Sequence, residues 1–171
     1  MKEFCYATGP SCDHPELPAS DPCTRACLHR EVLAAVPADK SGYTPDARSK
    51  TAFELVWHIA SSEMFFLNGA ISGAFSGGGE RPESMDTPAA VVEWYNGEFS
   101  GTLARLKQMS GDDLARVVDF HGMFQVPAVA YVQLMINHSV HHRGQLSAYL
   151  RPMGGLVPSI YGGSADEPMS M

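Results

Sequence analysis

Helix start and stop signals punctuate this chain at four places, and they constrain its fold more than any other feature. Asp21-Pro22 reads as an N-cap followed by proline at the first helical position, opening a helix that runs to about Val36, where Pro37 stops it. Thr51-Ala-Phe-Glu54 has the form of a capping box and opens a second helix to about Ser72, ahead of the loop GAFSGGGE. Asp86 or Thr87 caps a third, Pro88 follows, and the segment runs to about Met109 before Ser110-Gly111. The fourth begins near Pro127 and ends around Leu150, closed by Pro152 and Gly154-Gly155. No alternating strand pattern of useful length competes with these segments, although Arg116 to Phe120 can form a short extended piece. The expected fold class is all-α, a four-helix bundle. Its connections run to roughly 14 residues or more, against about 2–8 for simple antiparallel neighbours. Such lengths permit crossovers, so the topology need not be plain up-down-up-down.

With 171 residues and 44% hydrophobic content, the chain has enough material for one well-buried core and too little for two comfortable domains. The expected organisation is an N-terminal extension over 1–18, a single bundle domain over 19–162 and a flexible tail over 163–171. Basic residues number 12 against 19 acidic, a formal charge of −7, and they are scattered, which argues against nucleic-acid binding. No run approaches a membrane span, and MKEFCYATGPSCDHP lacks the apolar stretch of a secretory signal, so a cytoplasmic location is expected. Cys5, Cys12, Cys23 and Cys27 cluster near the start. With His14 and His29 they offer zinc-type donors, but the spacing lacks the close C-x2-C knuckle, and free thiols are the ordinary state in a reducing compartment.

The chemistry-bearing stretch is INHSVHHRGQ, residues 136–145, with three of the seven histidines in five positions. On a helix His138 and His142, four apart, share a face, together with Tyr131, Leu134, Met135, Gln145 and Tyr149. His141 falls to one side, and Arg143 lies well away, toward solvent or another subunit. Imidazoles one turn apart on an apolar face cost free energy unless their nitrogens are satisfied. A divalent metal satisfies them, and so do hydrogen bonds to Tyr or Glu side chains. Two ligands do not make a site; His58, in ELVWHIASSE, is an available third. It lies more than 100° from the stripe Phe53, Trp57, Ala60, Met64, Leu67 and Ile71 of its own helix. That helix is apolar nearly all round, so periodicity leaves the aim of His58 open. His121, in DFHGMFQ, sits where it can overhang the end of a pocket or simply face solvent.

NHSVHHRGQLSAYLRPMGG, preceded by LVWHIA and followed by VPSIYG, resembles the DinB family of bacterial metal-binding four-helix bundles, also called DinB/YfiT-like. The resemblance runs from about the first helix through Tyr161. It implies a bundle with a long crossover and one divalent metal (zinc, nickel or iron) held by His58, His138 and His142, with His141 outside the ligand set. The cysteine-bearing N-terminus lies outside the family pattern.

Three neutral imidazoles without a carboxylate leave a metal its double charge and at least one open position, suited to acidifying water or a thiol or to polarising a carbonyl. Imidazole ligation does not choose among zinc, nickel and iron(II). No organic-cofactor fingerprint, P-loop or nucleophile elbow is present, and no side chain is singled out as catalytic. The resemblance implies a metal-dependent enzyme acting on a small-molecule substrate, a thiol S-transferase using a low-molecular-weight thiol or a hydrolase using water. The rival reading is a non-catalytic metal-stabilised ligand-binding or stress-response protein, which a fourth protein ligand such as Glu63, His121 or a tyrosine would favour. A homodimer is expected from the excess apolar surface of the second helix.

Overall fold

A computed structural model describes residues 29–78 and 80–168. Residues 29–34 are helical and are labelled α1; then come α2 (Ala52–Ser72), α3 (Pro88–Lys107), the short α4 (Gly111–Ala115), β1 (Val117–Phe120), β2 (Phe124–Pro127) and α5 (Ala128–Leu150). The expected start of the first helix at Asp21-Pro22, the N-terminal extension and the four cysteines lie outside the described residues.

The long helices begin where their side chains cap them. Thr51 Oγ1 accepts from Glu54 N at 3.2 Å while Glu54 Oε2 accepts from Thr51 N at 2.7 Å, the reciprocal box that satisfies two orphan donors. Gly73, left-handed at φ 80°, ends α2, and the Arg116 guanidinium donates to the free carbonyls of Ala70 and Ile71 at 3.2 and 3.1 Å. Thr87, rather than Asp86, caps α3, with Pro88 at its first position. The expected extended piece is β1, which pairs antiparallel with β2. Neither β2 nor α4 was read from the sequence; α4 carries its own Ser110–Asp113 capping box.

Contacts fix the helix directions. Trp57 meets Trp94, Glu63 meets Tyr95 and Asn68 meets Arg105, so α3 climbs alongside α2 in the same direction. The connection between them must therefore return the length of α2, and Arg81 in that connection lies over Phe53 at the helix start, 4.2 Å from the ring centroid. This is the expected long crossover. Helix α5 runs antiparallel to α2, with His142 beside His58 and Tyr131 beside Phe75 just beyond the far end.

Most of the core lies among α1, α2, α3 and α5, built from residues such as Leu33, Leu55, Ile59, Val91, Tyr95, Leu146 and Leu150. A smaller cluster under the hairpin joins Ala70, Val118, Ala128 and Tyr131. Part of the segment expected as a tail is tied to the fold: Asp166 Oδ2 accepts from Val157 N at 2.9 Å and Arg151 Nε at 3.0 Å. No helix among the described residues is long and apolar enough to cross a membrane.

Candidate metal centre

His58 stands a little under two turns into α2, and His138 and His142 stand one turn apart on α5. Because the helices are antiparallel, the three imidazoles meet across the groove between them. His58 Nε2 lies 3.0 Å from His138 Nε2 and 3.1 Å from His142 Nε2. One nitrogen from each ring falls within 4.8 Å of the others, and among the described residues these three form the only such donor group. Each ring is half-buried.

The surroundings favour neutral rings at His58 and His138. Burial first, then the neighbouring imidazoles, push His58 and His138 down to about 4. His142 Nδ1 lies 3.0 Å from Gln145 Oε1, an acceptor that requires the proton on Nδ1 and so leaves Nε2 with its lone pair toward the group. Ser62 Oγ stands 3.4 Å from His58 Nδ1, while the buried His138 Nδ1 lacks a hydrogen-bond partner. With the protons of all three rings on Nδ1, as Gln145 favours at His142, three lone pairs would face inward and a cation would relieve their repulsion. In a tetrahedral zinc site with Zn–N near 2.0–2.1 Å the nitrogens stand roughly 3.3 Å apart, so the observed spacing fits with a few tenths of an ångström of expansion. The donor set fits a borderline divalent ion.

Helix α5 buries a face that overlaps the one its periodicity predicts without coinciding with it. Its buried face runs through Tyr131, Met135, Ser139, Arg143, Leu146 and Leu150, and the two histidines lie toward one edge of it. Leu134, placed on the histidine face, is 40% exposed. Arg143 overturns the outward placement given to it from sequence, being only 2% exposed. A polar cluster compensates its charge: Nη1 lies 3.4 Å from His29 Nε2, Nη2 donates to the Tyr161 hydroxyl, and His29 Nδ1 lies 3.4 Å from Glu63 Oε1. Tyr95 donates to the other Glu63 oxygen, and burial pushes the Glu63 carboxyl upward despite this bond and the nearby guanidinium. No periodicity of a single helix could have shown this cluster, because its members come from α1, α2, α3, α5 and the segment after α5.

Glu63 therefore serves that cluster and does not join the histidines; nor does His121. His121 occupies the tip between β1 and β2 with φ 51°, beside Phe65, Phe75 and Phe120. His141 is exposed and its ring packs on the edge of His142.

A family model described as the DinB family matches residues 25–169. The chain belongs to the DinB family. The YjoA protein of Bacillus subtilis (strain 168) is 32% identical over 126 residues, which span 72% of this chain and 80% of YjoA. The crystal structure of that DinB-like protein superposes with a TM-score of 0.67 at 28% identity, covering 81% of this chain and 92% of the other. A DinB-like protein from Bacillus cereus ATCC 10987 superposes at 0.69 with 20% identity, over 81% and 92% of the two chains. A mycothiol-dependent maleylpyruvate isomerase shares the fold at a TM-score of 0.50 and 14% identity, over 85% of this chain and 66% of its own. Family membership and the three-histidine cluster are together compatible with metal binding.

Proposed function

We propose that this DinB-family chain is a divalent-metal-dependent enzyme, with His58, His138 and His142 as the ligands and a small thiol or water as the group activated toward a small-molecule substrate. The convergence of three Nε2 atoms from α2 and α5, with no fourth donor in the group among the described residues, carries this reading. A divalent ion bound there, as zinc, nickel or iron(II), would keep its double charge and an open position, which favours the deprotonated form of a thiol or water and polarises a carbonyl. The chain's own part is to keep the His58 and His138 rings neutral by burial, to orient His142 through Gln145, and to hold α2 against α5 so that the nitrogens converge. The thiol alternative draws support from the mycothiol-dependent isomerase with the same fold.

Metal analysis of the wild type beside His58→Ala, His138→Ala and His142→Ala tests the ligand set. One ion per chain is expected in the wild type and substantial loss in each variant; full retention in any one removes that residue from the site. Metal-loaded protein that neither binds nor turns over any member of a panel of thiols and electrophiles would overturn the enzymatic reading. A homodimer forms part of the proposal: Val129 and Val140, 49% and 38% exposed, share an outer face of α5. Sedimentation at the mass of one chain across micromolar concentrations would reject it.

A further inference from the structure

Beside the histidines, along the groove between α2 and α5, lies a set of aromatic rings that the metal centre does not use. Phe65 follows His58 by seven residues, which places it on the same face of α2 about 10 Å further along. The Phe66 ring lies 6.0 Å from the His138 ring. Phe75 sits against the bare backbone of Gly69, where a Cβ would collide with its ring, and meets Phe120 of β1 at 4.9 Å. His121 closes the far end, 5.2 Å from Phe120 and 6.4 Å from Phe65, its ring within 11° of parallel to Phe65.

Phe66, Phe75 and Phe120 pack on the smaller core cluster, and two observations nonetheless set the group apart from a closed core. Tyr131 beneath it is fully buried, yet Phe65, Phe66, Phe75 and Phe120 all keep partial exposure, and across the groove Leu134, one turn before His138, is 40% exposed. His121 also holds a left-handed backbone, next to Gly122 at φ 72°, at a tip where Asn-Gly is the usual choice. A bulkier residue in that conformation is a local cost, and such costs gather where a side chain must be aimed.

We propose that these rings form an aryl subsite contiguous with the histidine group, so that the substrate or thiol carries a planar aromatic group beside its reacting atom. The open position at the histidines takes the reacting sulfur or oxygen, and Phe65 and Phe66 take the ring, with His121 setting the outer limit of the subsite. This inference rests on the metal-dependent reading above and adds the class of molecule to it.

The test uses full-length protein loaded with cobalt(II), whose visible bands report a thiol entering the coordination sphere. Benzyl mercaptan and ethanethiol are titrated separately, and the ratio of their dissociation constants is compared between wild type and variants. A preference of about tenfold for benzyl mercaptan is expected in the wild type. Phe66→Leu should reduce it at least about threefold, as should His121→Asn, which suits the turn and removes only the ring. Equal affinities in the wild type, or a preference unmoved in both variants, would overturn the aryl subsite while leaving the metal reading standing. Failure to take up cobalt would overturn the metal reading and this inference with it, whereas bands that respond to neither thiol would overturn the thiol form of that reading and the aryl subsite, leaving metal binding standing.

Discussion

Glycine at position 69 is the one residue on α2 whose lack of a side chain shapes its neighbours, because the Phe75 ring occupies the space a Cβ would fill. Gly69→Ala should evict that ring and destabilise the protein by about 1–3 kcal/mol, the usual penalty for overpacking, read from denaturant unfolding. Gln145 acts on the histidines instead. Its amide oxygen fixes His142, so Gln145→Ala should weaken metal binding about tenfold without removing a ligand, measured by competition with a chelator. Glu63 contributes a pH dependence of its own. Its folded carboxyl titrates above the unfolded value of 4.5, so at intermediate pH the folded state holds a proton that the unfolded state has released. Its contribution is therefore fully present below 4.5 and is lost as pH rises through the higher folded value. His29, Tyr95 and Arg143 face the same carboxyl. The stability gap between wild type and Glu63→Gln should therefore change as pH rises above 4.5, shifting in favour of the variant, in paired melting curves; a gap constant with pH would assign no titration to Glu63.

Among the elements, α2 does the most positioning, since it carries His58 on one side and Glu63 on another. Thr51→Ala removes one half of its capping box and should cost about 1 kcal/mol, seen as a lower melting temperature. The helices were legible in the sequence because their signals are local: Thr51 with Glu54, Thr87 before Pro88, and Gly73 after the last turn each act within four residues. Both strands of the hairpin were harder to read, since VVDF and FQVP are four residues each and show no strict alternation. Of the histidines, the pairing of His138 with His142 follows from helical spacing alone. The meeting of both with His58 depends on how α2 rotates against α5, which no single-helix wheel contains; the family resemblance supplied it. Arg143 was misplaced for a related reason. Its charge reads as outward until Glu63, His29 and Tyr161 arrive from three other parts of the chain.

At the scale of the whole molecule, the parallel run of α2 and α3 forces the long crossover, and α5 then closes the bundle against both the start and the end of the fold. An ion held by the three histidines would tie α2 to α5, so metal removal should lower global stability. At free metal 100-fold above its dissociation constant the difference is about 2.7 kcal/mol, measurable as a rise in melting temperature on reloading chelator-treated protein. A melting temperature independent of added zinc, nickel and iron(II) would count against a site that binds in the folded state.

His58 and His138 are separated by 79 intervening residues. During synthesis at about 5–20 residues per second, the first would leave the ribosome roughly 4–16 seconds before the second, with α2 waiting half-exposed for its partner helix. Of the three histidines of the candidate centre, a growing chain thus presents one until α5 is made. A metal held by all three histidines would therefore have to enter after α5 is made, and a folding step, not the order of synthesis, would assemble its ligands.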